Sequence, residues 1–404
     1  MKQYDVVVVG AGPSGSVASE IIARDGYDVL LIEEHITAGN PVQCTGLISP
    51  ETITESDYRG DIEGKIYGAN IYAPSLKRYS FESSDARAMV IDRKKFDGYL
   101  ATRAVKNGVD LSVNTKLLDF KVKDGLVRAR VSKGKENSEI STRILIGADG
   151  FGSTVRKIAG IKPPSELLSA FEMEVVLKNV DPNRVEVFFG NNIAPRFFGW
   201  LVPAGDVCRI GVATAGSRYP AIHYYTNLKR VIADMHNIKT EEIAELKMIT
   251  GGIPIGFMKN VSSDNLLLIG DAAGQIKPVS GGGIYYGILS AKIASTVVKE
   301  ALENGTVDNH ALSTYDKKLY TASGREIRKG VRLRKIFLSL NDRDLERLLA
   351  LLNNADIIRS ILDYGDIDHP SILTKKLLRI SPELLSILLP KIRTIVSNRP
   401  SAEE

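Results

Sequence analysis

The sequence predicts an α/β chain: a Rossmann-like dinucleotide-binding domain, an antiparallel β-sheet domain and a C-terminal helical region. Three observations predict it. The chain opens as strand, glycine turn, helix, strand; the apolar-strand-then-glycine pattern returns at 143–160 and 265–295; and residues 61–82 and 165–258 alternate with period two, while the chain after the last return has leucine-rich helical spacing. At 404 residues, with 44% hydrophobic and 25% charged, the chain has the length of two or three domains and an ordinary soluble composition.

The opening element is "YDVVVVGAGPSGSVASEIIARDGYDVLLIEE". Gly10, Gly12 and Gly15 fit G-x-G-x-x-G: the first allows the tight turn, the second lets backbone approach a pyrophosphate, and the third lets the helix pack on its strand. Glu33, eighteen residues after the last of these glycines, is placed to accept hydrogen bonds from a ribose hydroxyl. A nicotinamide dehydrogenase would continue with further βαβ units, whereas this chain leaves the pattern after residue 35.

The next stretch, "GNPVQCTGLISP" (39–50), puts Cys44 in a turn bounded by glycine and proline. Cys44 and Cys208 are the only cysteines. Two are too few for a disulfide framework, which points to a reducing compartment, and too few for a four-cysteine iron–sulfur cluster. The first return, "RILIGADGFGSTVRKIAG", ends its strand at Asp149–Gly150 with Ser153 and Arg156 beyond. The second, "NLLLIGDAAGQIKPVSGGGIYYGILSAKIAS", carries Asp271, Pro278 and a helix that starts on Gly281–Gly283. Such a start presents free N–H groups and a positive dipole end, and Asp271 is placed to hold a polyol or pyrophosphate-side hydroxyl.

The segments 61–82 and 165–258 read as antiparallel strands. Within them the sole tryptophan, Trp200, lies among Phe188, Phe189, Phe197 and Phe198; Cys208 reads as a buried small hydrophobe. The five histidines are scattered, and no metal site is expected. The basic stretches 324–340 and 374–396 have helical spacing. They read either as packed helices with solvated basic faces or as a surface resting on anionic lipid. The glycine turn arrives too early to leave room for a signal peptide, and no apolar run is long enough to span a bilayer. A cytoplasmic protein is expected, peripheral on the inner face of the cell membrane; the net charge of +5 is mild, and no nucleic-acid partner is expected.

The three glycine motifs, in this order and spacing, resemble the FAD proteins of the para-hydroxybenzoate hydroxylase class, and "DRKKFDGYLATRA" (92–104) is similar to the helix that class places between them. "PVQCTG", "FGWLVP" and "GDAAGQIKPVSGGGI" resemble, within that class, the geranylgeranyl reductase family, in particular its archaeal digeranylgeranylglycerophospholipid reductases. The resemblance covers nearly the whole chain. It implies a discontinuous FAD domain (1–60, 83–164, 259–300), a substrate sheet (61–82, 165–258) and a C-terminal helical region (301–404). Position by position it puts FAD contacts on Gly12, Ser14, Gly15, Glu33, Cys44, Thr45, Leu47, Arg93, Leu117, Asp271, Gly283 and Ile284. Thr45 is a departure, since many relatives have glycine or another small residue there. The aromatic-x-Trp-x-x-Pro motif, with Phe198 and Trp200, is implied to face an isoprenoid cavity.

The implied activity is saturation of geranylgeranyl chains on a glycerophospholipid precursor by reduced flavin, which supplies hydride, with a proton donor beside it. Cys44 is the candidate donor, as a buried thiol kept protonated by desolvation. Two other activities share the fold: a flavin monooxygenase and a membrane-associated electron carrier. No second G-x-G-x-x-G provides for resident nicotinamide, so the electron donor stays open among NADPH, a ferredoxin and a deazaflavin.

Overall fold

A computed structural model of the chain describes residues 2–397. Its first sheet has a parallel centre: Leu266–Leu268, Glu136–Gly147, Lys2–Val9, Val29–Ile32 and Asp110–Ser112 lie side by side in that order. Val6, Val7, Val8, Ile144, Leu145 and Ile146 are fully buried, as strands covered on both faces must be. One cover consists of the helices Pro13–Arg24, Arg93–Lys106 and Ile284–Glu303, packed on one another. From Glu136–Gly147 the sheet extends as an antiparallel meander through Leu126–Lys133 to Thr115–Lys123.

The second sheet has seven strands, ordered Ala244–Ile255, Glu166–Val176, Val207–Thr214, Gly199–Ala204, Arg184–Phe188, Gly68–Tyr72 and Arg78–Glu82. The expected antiparallel sheet holds with one exception: Arg184–Phe188 and Gly68–Tyr72 run parallel. The chain leaves this sheet after Arg78–Glu82, builds much of the first domain, and returns at Glu166. No hairpin forces the two visits to be antiparallel, and the long crossover that a parallel pair needs is already there. The alternating pattern also hides a helix, Ala221–Met235, whose Tyr224, Tyr225, Leu228 and Ile232 cover one face of the sheet. A third sheet joins Leu47–Ile48, Ala88–Val90 and Gly64–Ile66, and through Ile66, Ala88 and Val90 it packs on Val202 and Ala204 of the second sheet.

Beyond Glu303 the described chain is helical: Asn309–Leu319, Arg325–Leu338, Asp342–Ala350, Ala355–Tyr364, Pro370–Ile380 and Pro382–Ser397. Asn309–Leu319 packs into the first domain's core through Leu312, Tyr315 and Leu319, and Leu351, Ile357, Leu384 and Ile387 form a small core farther on. The expected helical region extends to 404; residues 398–404 lie outside the described part. No described helix is long and apolar enough to cross a membrane.

A candidate flavin cleft and the Cys44 turn

The three glycines of the first turn do different work. Gly10 has a φ of +104°, and a Cβ there would stand 2.5 Å from the Ala148 carbonyl oxygen. A Cβ on Gly15 would meet the Gly10 carbonyl oxygen at 1.9 Å, so this glycine lets helix and strand approach. A Cβ on Gly12 would meet nothing within 4 Å, because Gly12 faces open space in a cleft of about 580 Å³. Two helices begin on this cleft without a side-chain cap, Pro13–Arg24 at Gly12 and Ile284–Glu303 at Gly283. Both offer free N–H groups and a positive dipole end to phosphate or to a polarised carbonyl.

At one end of the cleft, Glu33 accepts from the Ala11 N–H at 2.9 Å and from the His35 N–H at 3.0 Å, and its Oε1 is 2.6 Å from His35 Nδ1. These contacts hold the carboxylate still and leave it lone pairs for a further donor. Leu117 lines the same end together with Thr115 and Lys116.

Farther along, Arg93 makes a bidentate pair with Asp97 at 2.9 and 2.7 Å, one helical turn away. Burial works against the guanidinium charge, but the Asp97 carboxylate more than offsets it and keeps Arg93 protonated, with Cys44 alongside. Asp271 carries the opposite signature. Desolvation, only partly relieved by Arg93, pushes its carboxyl up to about 6. Its Oδ1 would stand 2.6 Å from a Cβ on Gly283, so glycine is required there for the carboxylate to face the cleft. A carboxylate raised by desolvation, an open glycine cradle and two uncapped helix starts fit a dinucleotide with a polyol linker.

The far end carries Cys44, Leu47, Ile253, Lys277, Ile284 and Tyr285. Cys44 is half-buried, and its Sγ accepts weakly from the Gly46 N–H at 3.4 Å. Gly251 allows the Gln43 carbonyl to come close, since a Cβ there would lie 3.2 Å from it, so the Cys44 turn rests against the edge strand of the second sheet. Lys277 donates to Asp368 at 2.8 Å, and Tyr286 donates to the Asp368 carbonyl at 2.6 Å; the C-terminal region thus reaches the cleft wall.

The family model for the FAD binding domain matches residues 3–325. Over 95% of its length the chain is 32% identical to a digeranylgeranylglycerophospholipid reductase of Methanocaldococcus jannaschii, covering 96% of that protein. This chain belongs to the geranylgeranyl reductase family of FAD-binding proteins. An uncharacterized protein of the same organism is 34% identical to this family member over 93% of its chain and 95% of its own. Among solved structures, a geranylgeranyl bacteriochlorophyll reductase-like protein of Thermoplasma acidophilum has a TM-score of 0.84 at 26% identity, covering 97% of this chain and all of that one. A flavin-dependent halogenase shares the fold, with a TM-score of 0.68 at 16% identity. The family member is an FAD-dependent oxidoreductase, and FAD is its cofactor.

Of the residues expected from the sequence, Gly12, Ser14, Glu33, Cys44, Leu47, Arg93, Leu117, Asp271, Gly283 and Ile284 line the cleft. Gly15 sits beneath it as a packing glycine. Thr45 and Trp200 turn away: the Thr45 hydroxyl and the Trp200 indole N–H both donate to Glu172. Phe198 stacks on Phe197 at 4.1 Å and meets Phe189, which in turn meets Phe337 of the Arg325–Leu338 helix; Phe197 and Phe198 pack with Ile253, and Ile253 rather than Phe198 lines the cleft. The buried thiol expected at Cys44 is corrected to a half-buried one with a cation beside it. Arg156 ties the two later motifs together, donating to the carbonyls of Ala272 and Phe151 at 3.2 Å each. Cys44 and Cys208 are both free, and burial pushes the Cys208 thiol up to about 11.

Sequence reading missed Lys277, Glu172 and Arg209. A signal was present for the last two, each a charged residue within a strand of apolar alternation, but only the fold says what such a residue meets.

Proposed function

We propose that the chain saturates carbon–carbon double bonds of geranylgeranyl chains carried on a membrane glycerophospholipid precursor. The observation that carries this reading is the end-to-end similarity to a digeranylgeranylglycerophospholipid reductase, within which Cys44 falls on the cleft wall beside Arg93. Reduced FAD, when bound, supplies hydride. The protein's own task is to hold the cofactor, exclude water and deliver a proton. Gly12, Asp271 and Gly283, with the two helix starts, would hold FAD; Glu33 and Leu117 would close on its adenosine end.

The proton is assigned to Cys44. An isolated alkene accepts hydride poorly, so its other carbon needs a proton early or in concert. Sulfur that gives up a proton becomes anionic, and a neighbouring guanidinium stabilises that thiolate. Arg93, held charged by Asp97, stands in that relation to Cys44.

Contact with a membrane would spare the lipid a passage through water. On Arg325–Leu338 the residues Arg325, Arg328, Lys329, Arg332 and Lys335 are exposed, while Ile327, Gly330 and Arg334 are buried. Pro370–Ile380 has no buried residue and exposes Ile372 with Lys375 and Arg379. Anionic lipid would favour such a combination.

The test is anaerobic incubation of the dithionite-reduced protein with geranylgeranyl-bearing glycerophospholipid, followed by mass spectrometry for two-hydrogen increments. Free geranylgeranyl diphosphate in a parallel arm tests whether the glycerophospholipid headgroup is required. No increment in either arm, with one oxygen atom added to the substrate when air is admitted, would replace this reading with a monooxygenase.

A further inference from the structure

Glu172 lies in the Glu166–Val176 strand, on the face it shares with Leu168 and Ala170 and opposite the Ala221–Met235 helix. It is 2% exposed. In the register of the sheet, Trp200, Gly211 and Glu172 form a row across three adjacent strands. A Cβ on Gly211 would lie 2.4 Å from the indole ring, so only glycine there lets the ring cross the row, and its Nε1 donates to Glu172 Oε2 at 2.6 Å. From the cleft side the Thr45 hydroxyl donates to the same oxygen. Oε1 is buried and has no hydrogen-bond partner among the described residues.

Donor counting indicates the protonation state. A neutral carboxyl has a carbonyl oxygen with two lone pairs and a hydroxyl. Oε2 receives two donors and so takes the carbonyl role, which leaves the hydroxyl to Oε1; an ionised carboxylate would instead leave charge on a buried oxygen that no donor among the described residues reaches. Burial moves the Glu172 pKa upward, against the lowering pull of Thr45, Trp200 and Arg209, and Glu174 adds to the rise.

The surrounding charges are already engaged. Arg209 donates to Glu174, to Glu63 and to the carbonyls of Thr45 and Ile91. Lys247 stands 3.9 Å from Glu174, and the residue facing Glu172 on the edge strand is Ile249. Across the turn, Arg93 is paired with Asp97.

We propose that Glu172 is a positioning residue: as a neutral acid it holds the Thr45 side chain, while Arg209 holds the Thr45 carbonyl, and together they set the turn that carries Cys44 to the cleft wall. The proposal rests on the reading that Cys44 works at the reacting alkene. It also gives Trp200 a different task from lining the substrate cavity, namely to anchor Glu172.

The test uses the FAD-loaded protein without substrate. Trp200 is the sole tryptophan, so its fluorescence reports directly on the carboxyl it touches. The emission should titrate with a midpoint above the ordinary glutamate value of about 4.3 and lose that transition in Glu172→Gln. A midpoint at the ordinary value, or the same transition in the Gln variant, overturns the neutral acid. The second readout is alkylation by iodoacetamide, which reports Cys44 because Cys208 is buried. Glu172→Gln, which keeps a carbonyl for both donors, should alkylate within about threefold of wild type; Glu172→Leu, with FAD retained, should differ by about tenfold or more, the scale of a sub-ångström to ångström misplacement. Wild-type alkylation in the Leu variant overturns the positioning role. Should the Leu variant not fold, Trp200→Phe, which releases one side of the clamp, should change the alkylation rate by more than the threefold allowed to the Gln variant, and an unchanged rate there overturns the role as well. Absence of alkene reduction by the wild-type protein would count against the proposed function instead, since neither readout needs substrate.

Discussion

At the scale of residues, Cys44 and the glycines of the first turn make separable predictions. Cys44→Ala and Cys44→Ser are expected to keep FAD and fold normally, to lose on the order of 10²-fold in alkene reduction, and to leave flavin reduction by an artificial donor unchanged. Near-wild-type turnover by the Ala variant would reduce the thiol to a filler of space. Gly12 and Gly15 should fail in opposite ways. Nothing in the protein stands near a Cβ on Gly12, so Gly12→Val should leave the melting temperature of the apoprotein unchanged while FAD occupancy collapses. A Cβ on Gly15 meets backbone at 1.9 Å, so Gly15→Ala should destabilise the apoprotein itself, by about 1–3 kcal/mol or more. Thermal melts with and without FAD read both outcomes; a stable Gly15→Ala apoprotein would contradict the packing role. All three glycine tasks were legible from spacing, because the motif fixes the place of each glycine in one strand-to-helix turn. The task of Thr45 was not, since its partner Glu172 comes 127 residues later.

At the scale of elements, the Arg325–Leu338 helix separates its charges by face. Arg334 is buried, pairs with Glu166 at 2.5 and 2.8 Å and lies over the Phe197 ring, so it belongs to the packing and not to a lipid-facing surface. Of the exposed cations Lys329 is engaged by Glu326 and Ser371, which leaves Arg325, Arg328, Arg332 and Lys335 to meet phosphate headgroups. Co-sedimentation with anionic vesicles is expected, weakened by salt and absent with neutral vesicles, with each basic group near the surface contributing about 1 kcal/mol. Replacing those four by serine should abolish the binding while lowering the melting temperature less than Arg334→Ser alone does, since Arg325 and Arg328 touch only the half-buried rings of Tyr320 and Phe257. Equal behaviour toward both vesicle types would leave a solvated basic face. The helical spacing of this stretch was readable; which cation faces inward was not, because that depends on a strand more than 150 residues earlier.

At the scale of the whole molecule, the C-terminal region is fastened to the cleft by a buried ion pair, Lys277 with Asp368. Removing one partner of such a pair leaves an uncompensated buried charge and costs about 3–5 kcal/mol, whereas removing both can be far milder. Asp368→Ala should therefore lower the melting temperature and expose the chain beyond Glu303 to limited proteolysis, and Asp368→Ala combined with Lys277→Ala should recover part of the loss. Additive losses in the double variant would mean that the two side chains act independently. The same fastening places a residue from the last tenth of the chain at the wall of a site whose other residues come mainly from the first third and from 252–285.

The sequence by itself determined the frame of the candidate cleft: its glycines, Glu33, Asp271 and the two uncapped helix starts follow from short-range backbone constraints and from period, and these survive in a linear text. It also determined that the middle of the chain is a sheet. Tertiary structure alone decided the parallel pair between Arg184–Phe188 and Gly68–Tyr72, the alignment of Trp200, Gly211 and Glu172 in one row, and the cation beside Cys44. The physical reason is common to all three. Strand order and register are set by which long crossover closes the sheet, and a side chain's partner across that register has no fixed distance from it in sequence.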